Sequence, residues 1–279
     1  MEHTRSARVL RWAAPVCAAA LVLLRVVSLQ TAFQENGLLP AGSPVLPLTV
    51  FACACAFAAL CVPSLGLNRL PGTEQCFSRK NGWVGCKLGA AGLVTLGALL
   101  TLLNGRQEPD LAQRVAAFAG IGAGVCLMLV AMTAERGPRF FWLRLLPALY
   151  TGAMLILYFR VWSHDPMVIH ITPLLLAWTC AMVEMMLLTG FPLGAGHRRS
   201  AVLFGLAAGV FACMSVPDYF LRPGNSLQDL VLLLGASLWC AASAWELLRD
   251  EVQTEEPPAE PEEVLEEPET LAEAQQPHI

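Results

Sequence analysis

The sequence predicts an all-α membrane protein, a polytopic bundle of eight transmembrane helices with both termini in the cytoplasm. The chain is 56% hydrophobic and only 14% of its 279 residues are charged. A soluble domain carries roughly 25% charged residues. The apolar residues are also gathered into runs long enough to cross a bilayer. The composition therefore places this chain in a membrane.

A helix needs about 20 apolar residues to cross the hydrocarbon core of a bilayer. Eight runs have roughly that length: Val9–Leu29, Val45–Leu65, Leu88–Leu103, Leu111–Ala134, Phe140–Trp162, Met167–Gly190, Ala201–Leu221 and Leu227–Leu248. The third run is the shortest, and it gains length if it begins at Val84 with Lys87 extending its ammonium to the lipid headgroups. The first run follows a basic start and lacks a small-residue cleavage site, which indicates an uncleaved span.

The distribution of cations sets the orientation, because cytoplasmic loops hold most of the Lys and Arg residues. With eight spans, thirteen cations fall on one side: Arg5, Arg8, Arg11, Arg69, Arg79, Lys80, Lys87, Arg136, Arg139, Arg144, Arg198, Arg199 and Arg249. The other side has Arg106, Arg114, Arg160 and Arg222. Both termini are therefore predicted in the cytoplasm, and the protein in the cell (cytoplasmic or plasma) membrane.

The chain divides into a transmembrane domain, residues 1–249, and an acidic tail, residues 250–279. Eleven of the 22 acidic residues lie in the tail, which is also rich in proline. Such a segment cannot bury a core and is predicted to be disordered. It is either a solvated tail or a docking segment for a basic protein partner.

No pattern in the sequence points to an enzyme, a metal, a cofactor or a nucleic-acid partner. Eight of the ten cysteines fall in apolar runs, where cysteine acts as a small hydrophobic residue. Cys76 and Cys86 lie in a polar segment without a histidine or a second pair of thiols nearby, so a zinc site is not expected. The five histidines are scattered along the chain.

Pairs of glycines spaced four residues apart predict where helices pack closely, since lipid gives helices no hydrophobic reason to associate. Three spans carry such a pair: Gly85 with Gly89, Gly120 with Gly124, and Gly205 with Gly209. No strand precedes any of these pairs, which argues against a phosphate-binding loop. Helix packing is the predicted role.

Two charged residues lie inside the cytoplasmic half of neighbouring spans. Glu184 is about 9 Å from the cytoplasmic end of the sixth span at 1.5 Å per residue, and Arg144 lies at a comparable depth in the fifth. An unpaired charge at the bilayer centre costs about 2.5 to 3.5 kcal/mol on insertion scales. We therefore predict an Arg144–Glu184 ion pair. The alternative is a protonated, neutral Glu184.

A second pair of opposite charges lies in the outer half of the bundle. Arg25 and Asp218 are each a few residues from the outer ends of the first and seventh spans, so they are predicted to meet. Further polar residues follow the outer ends of spans: Arg160, His164, Asp165, His170, Tyr219 and Arg222. They form either an aromatic belt with boundary ion pairs or a polar vestibule for a small solute.

Two functional classes remain. The absence of any strong site motif favours a non-catalytic scaffold, sensor or assembly protein whose tail makes contacts. The alternative is a small-solute transporter that uses Glu184 and the outer polar residues. Transporters commonly contain inverted repeats with broken helices, and no clear repeat is present in this sequence.

Overall fold

The structure is a computed structural model that describes residues 2–31, 43–67, 81–103, 111–133, 141–162, 171–221 and 226–248. All regular structure in these ranges is helical, and they contain no strand. Several predictions concern residues outside them. These are the tail 250–279, Cys76, His164, Asp165, His170, Arg222, and the loop cations Arg69, Arg79, Lys80, Arg106, Arg136, Arg139 and Arg249.

Eight helices correspond to the eight predicted runs. They are α1 (Glu2–Thr31), α2 (Val45–Ser64), α3 (Asn81–Leu103), α4 (Leu111–Met132), α5 (Phe141–Trp162), α6 (Thr172–Gly190), α7 (Arg198–Leu221) and α8 (Leu227–Leu247), with a 3-10 turn at Phe191–Leu193. All eight are long and apolar enough to cross a membrane. The prediction of eight apolar helices is confirmed, and the third is a full-length helix of 23 residues.

The helices form a ring of five with three helices packed on its outside. In the ring, α3 contacts α4, α4 contacts α5, α5 contacts α6, α6 contacts α8, and α8 returns to α3. Helix α7 packs over α6 and α8, and it carries α1 and α2 on its other side. Because α7 and α8 each have neighbours on several sides, they are the most deeply buried helices.

The outer surface of the bundle is apolar. Large hydrophobic side chains are exposed on most of the helices, among them Trp12, Phe51, Val62, Leu103, Phe118, Trp142, Ile156 and Phe220. A soluble monomer rarely exposes a continuous apolar surface of this kind. A hydrocarbon surrounding removes that cost, so the eight apolar helices and their exposed residues suggest a multi-pass membrane protein.

Arginines bind the ends of helices where the two termini of the transmembrane domain meet. Arg11 Nη2 donates to the carbonyl of Leu248 at 2.7 Å, and Arg198 Nε donates to that of Leu247 at 2.8 Å. Arg199 Nε donates to the carbonyl of Leu67, just after α2. The last carbonyls of a helix lack partners within it and carry partial negative charge. These arginines therefore complete the ends of α2 and α8 at what we call the termini end of the bundle.

Two of the three predicted glycine pairs lie at helix contacts. A Cβ added to Gly205 would lie 2.7 Å from the Ala244 Cβ and 2.8 Å from the Cys240 carbonyl oxygen, both on α8. Gly209 approaches Ala241 on the same helix. On α4, Gly120 lies against the Tyr150 hydroxyl and the Ala98 methyl group, and Gly124 lies against Thr95.

The prediction for Gly85 and Gly89 is wrong. A Cβ at either position would meet no atom within 4 Å, and both residues are exposed. The reason is the helical period: Lys87 lies two residues from each, on the opposite face, and Lys87 is the residue that faces the bundle. The sequence also failed to single out Gly97 and Gly235, which bring α3 and α8 together against Leu232 and Val94.

We predict that Gly205→Ala destabilises the protein, because its methyl group would force α7 away from the backbone of α8. Overpacking of this kind costs about 1 to 3 kcal/mol. Gly89→Ala makes the same chemical change on an open face and is expected to leave stability unchanged or slightly raised. Thermal unfolding of both variants in detergent measures the difference, and equal midpoints would contradict the packing role of Gly205.

Candidate functional site

A charged cleft lies inside the five-helix ring, near the termini end. All five ring helices line it, through Lys87, Leu127, Val130, Arg144, Pro147, Met185, Leu188, Trp239 and Ser243. The space between its atoms is about 350 Å³ when the open solvent at its mouth is counted. Two of the residues that line it are cations, although the surrounding helix surfaces are apolar. The cleft is therefore the feature of the described residues that most needs a chemical explanation.

Lys87 faces this cleft and pairs with Glu246. Its Nζ lies 2.5 Å from Glu246 Oε2 and 5.7 Å from the centre of the Trp239 ring. Lys87 is only 9% exposed, so the expectation that it extends to the headgroups is wrong. The carboxylate of Glu246, which sequence reasoning passed over, holds the ammonium inside the bundle. The available signal was that Lys87 and Glu246 lie at similar depths in two spans with opposite charges.

No hydrogen bond joins Arg144 and Glu184, the two residues of the predicted ion pair. Its Nη1 donates to the carbonyl oxygen of Leu188 at 3.1 Å. Both carboxylate oxygens of Glu184 are buried and have no hydrogen-bond partner among the described residues. Arg144 is drawn to the last turn of α6, whose carbonyls lack partners within the helix, one turn beyond Glu184. The two residues still lie within electrostatic range of each other.

Glu184 lies where α6, α7 and α8 meet. It is 0% exposed, and its Cγ is 3.3 Å from the position that a Cβ on Gly205 would take. The Cys240 side chain of α8 is also close to it. Its chain neighbour Met185 lines the charged cleft. A carboxyl group thus lies directly behind the cleft wall, and neither of its oxygens has a hydrogen-bond partner among the described residues.

Two buried serines of α8 share this lack of a partner. Most buried Ser and Thr hydroxyls among the described residues donate to a carbonyl of their own helix, namely those of Ser28, Thr49, Ser64, Thr151 and Ser215. The hydroxyls of Ser237 and Ser243 have no hydrogen-bond partner among the described residues. Of these two, Ser243 lines the charged cleft.

The far half of the ring interior contains buried polar side chains. Tyr158 of α5 stacks on Trp178 of α6 with ring centres 6.0 Å apart, and its buried hydroxyl lies near Asp229 of α8. Ser226 donates to Asp229, and Tyr150 of α5 lies against Gly120 of the neighbouring helix α4. Asp229 lies 17 residues before Glu246 on α8, or about 25 Å at 1.5 Å per residue. Polar groups therefore mark both ends of the ring interior.

The structure brings Arg25 and Asp218 together on the side of the bundle away from the ring. Arg25 Nε donates to Asp218 Oδ2 at 3.0 Å, and Nη2 donates to Oδ1 at 2.7 Å. Both residues are buried. Two parallel bonds of this kind are the strongest arrangement for an arginine and a carboxylate. They join the end of α1 to the end of α7.

Only part of the predicted outer polar group lies in the described residues. Arg160 is exposed at the end of α5, and Tyr219 is half-buried beside Asp218 and near Asp229. The other four members lie outside the described ranges. Among the described residues, no group of three or more His, Cys, Asp or Glu side chains could hold a metal ion.

Comparison with known proteins leaves the chain without an assigned relative. No family model, no curated protein and no solved structure matches it. Support for a function therefore comes from the charged cleft, the partnerless Glu184 and the polar interior of the ring.

We predict that the Arg25–Asp218 pair stabilises the bundle by mutual neutralisation. Arg25→Gln or Asp218→Asn alone leaves one buried charge unpaired, which costs about 3 to 5 kcal/mol. The double variant leaves none, so it is expected to lose less stability than the sum of the two single variants. Thermal unfolding in detergent measures all three.

Arg160→Gln, at an exposed arginine of the same end of the bundle, serves as the control and should cost little. Strict additivity of Arg25→Gln and Asp218→Asn would contradict the pairing.

Proposed function

We propose that this protein is a transporter for a small solute, which passes through the five-helix ring. The observation that carries the proposal is the ring interior, which has a charged cleft near the termini end and buried polar side chains toward the other end. Transporters that work by alternating access place polar binding groups within the bundle. Solute sites of such proteins lie within the bundle, where they are reached from one side at a time.

The energetics of the bilayer also favour this function over a non-catalytic scaffold. Ionisable residues at membrane depth are costly, and they usually mark substrate or proton pathways. A scaffold needs only helices that pack, which the glycine and alanine contacts of α3, α7 and α8 already supply. The lack of a sequence motif favoured the scaffold. The Lys87–Glu246 pair and the cleft around it are features that a scaffold does not need.

Glu184 is the residue proposed to carry a proton in the transport cycle. An ionised carboxylate without a hydrogen-bond partner is very costly in a buried site, so its buried position suits the neutral acid. Movement of α6 against α7 or α8 would expose the carboxyl to Arg144 or Lys87 and favour its ionised form. The two forms thus suit two arrangements of the same helices.

The proposal includes an orientation in the cell membrane with both termini in the cytoplasm. Its support is the excess of Lys and Arg on the side of the termini, which includes Arg11, Arg198 and Arg199 at the helix ends. In that orientation, the charged cleft opens toward the cytoplasm.

The orientation predicts the behaviour of reporter fusions. A reporter active only in the cytoplasm should be active when fused after Leu248 or between α6 and α7, and inactive when fused between α7 and α8. The reason is that each helix that crosses the bilayer places the loop after it on the opposite side of the membrane from the loop before it. Equal activity at the α6–α7 and α7–α8 positions would contradict the eight-span topology.

Transport predicts solute-driven proton movement that depends on Glu184. The full chain is reconstituted into liposomes that contain a pH indicator, and gradients of small anionic, neutral and cationic solutes are applied one at a time. At least one solute class should move protons with the wild-type protein. Glu184→Gln should reduce this movement to that of empty liposomes, because an amide binds no proton at these pH values.

Glu266→Gln, the same chemical change in the tail, is the matched control and should transport normally. Size-exclusion chromatography checks that each variant is folded. If Glu184→Gln and the wild-type protein move protons equally, or if no solute moves them, the transport proposal fails. Loss of a protein partner on deletion of residues 250–279 would then favour the scaffold.

A further inference from the structure

We propose that the charged cleft binds a small organic monoanion, such as a short-chain carboxylate, and that its binding is linked to protonation of Glu184. This anion would be the substrate of the proposed transporter. The inference rests on the proposed function only for the claim that the bound anion is transported. Binding itself is a property of the cleft and can be measured without transport.

Three side chains of the cleft suit a carboxylate group. Lys87 and Arg144 bring positive charge from α3 and α5, and Ser243 of α8 lines the same cleft. The Ser243 hydroxyl is buried and has no partner among the described residues, whereas most buried hydroxyls of the bundle bond to their own helix. A hydroxyl that stays without a partner beside two cations is explained by an acceptor that occupies the cleft.

The walls of the cleft select the rest of the ligand. Leu127, Val130, Met185 and Leu188 supply aliphatic surface, and Trp239 supplies an aromatic face. A site with apolar walls and a few convergent polar groups is typical for small organic ligands. The space of about 350 Å³ between its atoms includes open solvent at the mouth, so the cleft itself leaves room only for a short molecule. A sugar would leave its hydroxyls unbonded against these walls.

The charges around the cleft link the anion to a proton. Lys87 and Arg144 are balanced by Glu246 and Glu184 when both acids are ionised. When Glu184 is protonated, the group keeps one excess positive charge, which a monoanion neutralises. The proton on Glu184 and the anion in the cleft therefore favour the binding of each other. By thermodynamic linkage, the effect of the proton on anion affinity equals the effect of the anion on proton affinity.

The groups that face Glu184 come from each helix packed against it. Arg144 belongs to α5 and Lys87 to α3. Helix α8 presents Cys240 and also carries Glu246, which interacts with Arg144. Helix α7 meets Glu184 through Gly205, and its Arg198 is bound to the carbonyl of Leu247. The remaining titratable groups are thiols, the nearest on its own helix being Cys180. Glu184 is thus the carboxyl of this region without a bonded cation.

The test is calorimetric titration of the purified full chain in detergent with butyrate. Between about pH 6 and pH 8 the butyrate stays ionised, so any change in affinity comes from the protein. Binding should weaken as the pH rises, and one proton should be taken up with each anion where Glu184 is ionised beforehand. Butyramide, which has the same shape without the charge, should not bind.

Two serine variants provide the matched comparison. Ser243→Ala should weaken butyrate binding about ten-fold or more, since it removes a hydrogen bond to a charged group. Ser237→Ala removes the other partnerless hydroxyl of α8, which does not line the cleft, and should leave the affinity unchanged. Equal effects of the two variants would overturn the site.

Glu184→Gln tests the linkage, because glutamine resembles the protonated acid. This variant should bind butyrate with an affinity that no longer depends on pH, and without proton uptake. Retained pH dependence would overturn the role of Glu184. Failure of the wild-type protein to bind butyrate at any pH would overturn the inference, as would displacement of butyrate by phosphatidylglycerol alone, which would assign the cleft to a lipid headgroup.

The outcomes separate the anion site from the proposed function. Butyrate binding without solute-driven proton movement in liposomes leaves the anion site standing and removes transport. Proton movement driven by another solute, with no butyrate binding, leaves transport standing and removes the anion site.

Discussion

The structure depends on one constraint: polar groups at membrane depth must find their partners inside the protein. Hydrocarbon supplies no hydrogen bonds, so an unpaired charge or a free backbone group is costly there. The bundle meets this constraint with the Arg25–Asp218 pair at one end of α1 and the Lys87–Glu246 pair between α3 and α8. Arginines satisfy helix carbonyls at the termini end. Each of these contacts joins elements distant in sequence and so also holds the fold together.

The same constraint makes its exceptions informative. Glu184 and Ser243 are buried polar side chains without partners among the described residues, and they lie on either side of one cleft wall. Nearly all buried polar groups in proteins are paired. For these two groups beside the charged cleft, we propose that the missing component is a proton for Glu184 and an anion for Ser243. Function and stability thus follow from the same requirement that buried polar groups be satisfied.

Close packing of small residues places these polar groups. Gly235 brings α8 against the backbone of α3 at Val94, and Gly205 brings α7 against the backbone of α8 at Cys240. Because the helices are so close, Lys87 reaches Glu246 across the first contact, and Glu184 is enclosed beside the second. The glycine contacts have no chemistry of their own, yet they set the distances on which the charged cleft depends.

The sequence by itself determined the eight helices. The thickness of the hydrocarbon core sets the length of an apolar run, and that run can be recognised along the chain without knowing which helices it will contact. The sequence also matched Arg25 to Asp218, since a charge pair at one depth needs only the topology. It did not determine which way a side chain faces: Arg144 turned to the Leu188 carbonyl, Lys87 turned inward to Glu246, and Gly85 and Gly89 turned outward. Depth follows from position along a span, whereas direction around a helix depends on which helices are its neighbours. Only the tertiary structure decided that, since it alone closes the ring and brings residues of five helices to one cleft.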